Sequence, residues 1–288
     1  MDEAAKPEPS GAAPAGPRRE QVAGELACLD GRTSPAAEAA IPVTDAGLLR
    51  GDGVFEVIRV YDGRVFALAE HLDRLERSAA NLRLPYPVPR EALELETPAL
   101  VEQRGGAGFD GVVRIVLTTG GRRIVITEPL PPSPAQVRLG FVTYAPTRVL
   151  DGIKSLSYAA NMLSSRLARE RGFDEALLVT PHGRVLEAPT ASIFYVTDDG
   201  ALCTPPLDEH ILASITRDLV VRLAGGEERA AAAEELLAAA EAFIVSTTRE
   251  VQPVAAIEDR EFDAPGGRTR AAAAALRNHI EAALAGAA

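Results

Sequence analysis

The sequence predicts a mixed α/β (α+β) fold in two domains with a cleft between them. Three observations carry this expectation. Period-two apolar runs alternate with amphipathic helical stripes in both halves of the chain. At 288 residues, the chain is long enough for one large or two ordinary domains. The stretch 145–152 (APTRVLDG) lacks apolar periodicity and reads as a connector. The expected division is a disordered Ala/Pro/Gly-rich leader at 1–20, a small α/β domain at 21–144, the connector at 145–152 and a large domain at 153–288.

The elements follow in order. From Glu25 the chain alternates like a strand and breaks at Asp30-Gly31, a hairpin signal. Gly53 to Tyr61 (GVFEVIRVY) alternates again, Asp62-Gly63 turns it, and Arg64 to Ala67 returns. Leu68, Leu72, Leu75 and Ala79 form one helical stripe, and a second helix is expected at about 89–104. Strands are expected at Val112–Thr118, Arg123–Thr127 and Val137–Tyr144. Beyond the connector, Tyr158 to Arg171 reads as a helix closed by Gly172. Strands follow at Asp174–Thr180, Val185–Glu187 and Ser192–Thr197. Helices are expected at Leu212–Leu223 and Ala230–Ala240, strands at Phe243–Ser246 and Val251–Ile257, and a closing helix at Thr269–Ala285.

Composition excludes several functions. No run approaches the ~18 apolar residues of a membrane span, and the N-terminus lacks the pattern of a secretory signal. A net charge of −11 argues against nonspecific nucleic-acid binding. Cys28 and Cys203 have no metal-ligand spacing and read as free thiols of a cytosolic protein. The four histidines are isolated from one another, so nothing marks a metal site.

Lysine usage is the most specific signal. Only Lys6 and Lys154 occur, and the other 28 of the 30 basic residues are arginines. Lysine can lose its proton when buried and attack a carbonyl, which arginine cannot do. Lys154 is therefore a candidate Schiff-base lysine, and the alternative is a chance survivor on a solvated loop. Glu187 ends a Gly-x-Val stretch beside small residues, where a carboxylate could approach a flat ring or simply face solvent. Ser214 suits an N-cap, which would leave free N–H groups at Ile215 and Thr216. Ser246-Thr247-Thr248 is a second hydroxyl-rich place where N–H groups could cradle an anion. His71-x-x-Arg74 places an arginine on the first long helix. Amine, carboxylate, arginine and two N–H nests together match what pyridoxal 5′-phosphate requires.

The stretches GDGVFEVIRVYDG (51–63), EHLDRLERSA (70–79), IKSLSY (153–158), GRVLEAPTASIFYV (183–196), ILASITRD (211–218) and FIVSTTREVQPV (243–254) resemble the class IV, fold-type IV pyridoxal-phosphate enzymes. These are branched-chain and D-amino acid aminotransferases and aminodeoxychorismate lyases. The resemblance spans about Asp45 to Glu281. It implies the fold-type IV architecture, with the cofactor in the interdomain cleft and bound chiefly by the large domain. It implies Lys154 as the catalytic, cofactor-bound lysine and Glu187 as partner of the pyridine nitrogen. Arg74, Ile215, Thr216 and Thr247 would contact the phosphate. Phe55, Arg114 and Thr248 would bind substrate, with no metal.

The chain also departs from its relatives. Tyr158 stands one position before the tyrosine of branched-chain enzymes, where this chain has Ala159. Phe55 replaces a tyrosine of D-amino acid enzymes, and Thr119 replaces their carboxylate-trapping arginine. Arg50, Arg114, Arg122 and Arg123 are the candidate substitutes. The resulting expectation is a cytoplasmic, homodimeric transaminase acting by a ping-pong mechanism between a donor, by preference a D-amino acid, and a 2-oxo acid. An aminodeoxychorismate lyase releasing pyruvate and a branched-chain L-amino acid aminotransferase are the alternatives within the family. A cofactor-free binding module is the alternative outside it. No nucleic-acid or membrane partner is expected.

Overall fold

Two sheets organise the computed structural model, which describes residues 24–286. The expected leader at 1–20 lies outside the described residues. The first sheet contains β1 (Leu26–Leu29), β2 (Arg32–Pro35), β3 (Gly53–Tyr61), β4 (Arg64–Val65), β5 (Gly111–Thr118) and β6 (Arg123–Pro129), in the spatial order β2-β1-β6-β5-β3-β4. Its strands pair antiparallel. A short helix, α1 (Ala46–Arg50), precedes β3. One sheet face packs on α2 (Leu68–Leu82) and α3 (Arg90–Arg104), burying Val54, Ile58, Leu72, Leu75, Leu93 and Ile115. Each such side chain contributes about 1.5–3 kcal/mol relative to exposure. The opposite face carries Phe55, Val57 and Arg114, with Val57 directly across from Arg114. Strand alternation thus makes β3 half core and half wall of the cleft.

The second sheet contains β7 (Val137–Thr143), β8 (Glu175–Val179), β9 (Ser192–Val196), β10 (Leu202–Thr204), β11 (Glu227–Glu228), β12 (Glu241–Ser246) and β13 (Glu250–Ile257). A short β14 (Arg260–Glu261) pairs with β13. α4 (Ala159–Glu170), α5 (Ile215–Ala224), α6 (Ala233–Leu237) and α7 (Gly267–Gly286) complete the chain. Both faces of this sheet are covered, so β8 and β9 are buried throughout. Phe194 and Phe243 stack with ring centroids 5.1 Å apart, beneath α5 and α7.

Several expectations require correction. Val137–Thr143, assigned by order to the small domain, hydrogen-bonds in parallel with β8 and β13 of the second sheet. The chain therefore changes sheets across the proline-rich 130–136, ahead of the expected connector. Val185–Glu187 makes only an isolated bridge and two flanking hydrogen bonds with β8, and is no strand. The helix expected from Leu212 begins at Ile215 because Ser214 caps it. The Ala230–Ala240 helix contracts to Ala233–Leu237, since Val185 N–H bonds to Ala231 and Ala240 N–H to Val196. Tertiary pairing overrides alanine's propensity there.

Candidate active site

Gly53 explains how Lys154 reaches the cleft. A Cβ on Gly53 would lie 2.4 Å from the Leu117 carbonyl oxygen and 2.7 Å from Leu156 Cδ1. Without one, segment 153–156 runs against β3. Leu156 N–H donates to the Gly53 carbonyl (2.9 Å), and Phe55 N–H donates to the Lys154 carbonyl (3.0 Å). Ser78 Oγ on α2 accepts from Lys154 N–H at 3.1 Å. With its backbone fixed from both sides, Lys154 places Nζ 4.5 Å from the Phe55 ring centroid and 5.9 Å from that of Tyr158.

Lys154 lines a cleft of about 900 Å³ together with Phe55, Arg74, Glu187, Thr247 and Thr248. Burial, with Arg74 nearby, lowers the amine's pKa to about 8. This falls in the range where a lysine serves both as nucleophile and as proton carrier near neutrality. Glu187 shares the cleft, and burial raises its pKa to about 7. Leu212 N–H donates to Glu187 Oε1 at 3.1 Å and fixes the carboxylate's direction. Tyr158 Oη and Asn161 Nδ2 both donate to the Pro189 carbonyl, at 2.7 and 3.0 Å, tying the segment after Glu187 to α4.

At the other end of the cleft, Arg74 is held rather than loose. Its Nε and Nη2 donate to Glu56 Oε1 and Oε2 at 2.7 and 2.6 Å, and Nη1 donates to the Ala213 carbonyl at 3.2 Å. His71 Nδ1 lies 2.8 Å from Glu56 Oε2. Burial alone would raise the Glu56 carboxyl, but Arg74 and His71 hold it down to about 2. Three of five guanidinium N–H groups are thus committed, leaving two for a ligand. Ala213 directly precedes the α5 cap, where Ser214 Oγ accepts from Arg217 N–H at 3.3 Å. Among the described residues, no acceptor meets the Ile215 and Thr216 N–H groups at the positive end of α5. Ile215 and Thr216 line a small adjoining cavity shared with Ser246 and Thr247. Arg74, the start of α5 and the 246–248 turn therefore converge on one end of the site.

Arg114 lines the cleft but does not present a free charge. Its Nε and Nη2 donate to Glu128 at 2.5 and 2.9 Å. Arg122 pairs with Asp30 and Arg123 with Glu96, and neither lines the cleft, which removes both as carboxylate traps. Thr119 turns inward to the Asp52 carbonyl (3.2 Å), and Arg50 is exposed outside the cleft. Sequence reasoning missed Glu56 and Arg249. For Glu56 a signal existed: a carboxylate between Val54 and Ile58 on the core-facing side of a strand demands a buried cation. Arg249 carried no comparable signal.

The family model described as amino-transferase class IV matches residues 53–257. A Methanocaldococcus jannaschii protein, provisionally named a branched-chain-amino-acid aminotransferase, is 36% identical over 81% of this chain and 88% of its own length. The D-alanine aminotransferase of Bacillus licheniformis is 34% identical over 88% of this chain and 96% of its own. Among solved structures, the branched-chain aminotransferase of Thermoproteus uzoniensis superposes with a TM-score of 0.80 at 32% identity, covering 90% of this chain and 95% of that one.

Proposed function

From the chain's membership of the class IV aminotransferases, we propose that it holds pyridoxal 5′-phosphate in the cleft and uses Lys154 to transfer amino groups from D-amino acids to 2-oxo acids. The observation that carries this reading is Lys154 itself: a cleft lysine with a lowered pKa, in a chain with one other lysine, sharing its cleft with a buried carboxylate. The residues fit the cofactor. The unpartnered N–H groups of Ile215 and Thr216, the remaining Arg74 donors and Thr247 suit a phosphate dianion. Glu187 suits a protonated ring nitrogen. When bound, the cofactor supplies a carbonyl for amines and a ring that accepts electrons.

The chain's own residues do the remaining work. Lys154 would hold the cofactor through Nζ and, when that amine is free, would move a proton at that same atom. Glu187, as the carboxylate, would hold the proton at the ring nitrogen. Glu56 keeps Arg74 aimed at the phosphate end. Phe55 and Arg114 wall the substrate side, and the Thr248 backbone N–H receives the substrate's α-carboxylate. Among the described residues, no helix is long and apolar enough to cross a membrane. We place the enzyme in the cytoplasm, on the support of two buried free thiols, Cys28 and Cys203. We also read it as a homodimer, which is supported by the exposed Val149, Leu163 and Leu167.

Similarity to a D-alanine aminotransferase over nearly its whole length supports the D-amino acid reading. The apolar wall of Phe55, Val57 and Val112 favours a second reading, branched-chain L-amino acids. A half-reaction screen separates them. D-alanine, D-glutamate, L-leucine and (R)-1-phenylethylamine are added singly to cofactor-loaded protein, and the visible band is followed. Bleaching by the D-amino acids supports the proposal. Bleaching by L-leucine alone replaces it with the second reading, and pyruvate release from aminodeoxychorismate without an acceptor moves the enzyme to the lyase branch.

A further inference from the structure

Arg249 follows the 246–248 turn and lines the same cleft as Lys154. Its Nη2 donates to Glu175 Oε2 at 3.0 Å and lies 3.4 Å from Thr190 Oγ1. Its Nη1 is buried and meets no acceptor. Glu175 is already satisfied, since Oε1 also accepts from Ser165 Oγ (2.6 Å) and Ala176 N–H (3.1 Å). On the neighbouring strand, Ser192 is 1% exposed, lines the cleft and has an unpartnered hydroxyl. Ser192 pairs with Val245 of β12, on the strand that leads into the turn carrying Arg249, and lies two residues beyond Thr190, which Arg249 approaches. A buried donor without an acceptor is costly, and two lining one cleft call for a ligand with acceptor oxygens. Arg166 and Arg169, on one face of α4, line the cleft as well and add positive charge there. Arg74 is held at the phosphate end by Glu56 and the Ala213 carbonyl, and Arg114 is spent on Glu128.

We propose that Arg249, assisted by the Ser192 hydroxyl, binds the second carboxylate of a dicarboxylic amino or oxo acid and so sets the enzyme's preference for such substrates. The proposal rests on the transaminase reading. There the substrate's own α-carboxylate is assigned to the Thr248 backbone, which leaves the side chain one residue later for the substrate's other end.

The test uses cofactor-loaded protein and two unreactive probes, glutarate with two carboxylates and butyrate with one, titrated by calorimetry. Arg249→Leu should weaken glutarate roughly ten- to a hundredfold, as expected for a charge-assisted hydrogen bond, and leave butyrate unchanged. The KM for 2-oxoglutarate should rise by a similar factor while that for pyruvate holds. Because Arg249→Leu alone strands the buried Glu175, the double variant Arg249→Leu/Glu175→Gln is measured beside it and should show the same selective loss. Arg249→Lys should recover part of it. Unchanged glutarate affinity in both variants overturns the proposal, and so does an equal loss for glutarate and butyrate. If no donor bleaches the wild type, the transaminase reading fails, whereas glutarate selectivity is still read by calorimetry.

Discussion

Glu187→Gln should stabilise the cofactor-free protein at alkaline pH while destroying the activity of the cofactor-loaded enzyme. Burial raises the Glu187 carboxyl from the ordinary 4.5 to about 7. That gap corresponds to about 3 kcal/mol of penalty on the charged form in the cofactor-free protein, at about 1.36 kcal/mol per decade. The sign follows from proton counting. Between pH 4.5 and 7 the folded protein binds the proton that the unfolded chain has lost, so stability falls as pH rises through this window. The penalty is about 1 kcal/mol at pH 5 and about 3 kcal/mol at pH 8. Glutamine keeps the acceptor for Leu212 N–H and cannot ionise. Urea unfolding of wild type and variant at both pH values reads the difference as a shift in midpoint at constant slope. A variant equally stabilised at pH 5 and pH 8, or less stable than wild type at pH 8, would refute the reasoning. With cofactor bound, the same variant should lose several orders of magnitude in turnover, ~4 kcal/mol or more in barrier, because the ring proton loses its counter-ion.

Arg74→Ala should weaken cofactor retention far more than Thr216→Ala, because the backbone donor at 216 survives the substitution; dialysis followed by cofactor titration measures this, and equal retention would move the phosphate elsewhere. Gly53→Ala should displace segment 153–156, given the 2.4 Å approach to the Leu117 oxygen, and abolish cofactor capture in a protein that still folds; normal capture would show that the loop has room. Glu56→Ala should cost about 3–5 kcal/mol in urea unfolding by stranding the buried Arg74. Glu56's depressed pKa means that this contribution is present above pH 4.5 and fades as pH falls towards 2, so the variant's deficit should shrink in acid.

Much of the site was legible in the sequence because its chemistry is local. The alternation of GVFEVIRVY, the Leu68–Ala79 stripe and the Ser214 cap each sit within a few residues, and the structure forms β3, α2 and α5 from them. Lys154 stood out because arginine had replaced nearly every other cation. What remained hidden depends on distant partners. The parallel pairing of Val137 with Val254 joins residues far apart in the chain, so no local pattern assigns β7 to the second sheet. Arg114, Arg122 and Arg123 looked equally available until Glu128, Asp30 and Glu96 took them up. Arg249 looked like any turn arginine, and only the fold sets it against Glu175 with one nitrogen uncommitted.

The central claim is that Lys154 carries the cofactor. Only two lysines occur in the chain, so borohydride reduction of the pyridoxal-phosphate-loaded protein followed by peptide mapping gives a nearly binary answer. The account predicts a single reduced adduct on the peptide containing Lys154, absent from Lys154→Ala, and capture that quickens as pH rises through about 8, where the amine loses its proton. An adduct on Lys6 or the N-terminal amine alone, or an active Lys154→Arg variant, would contradict it.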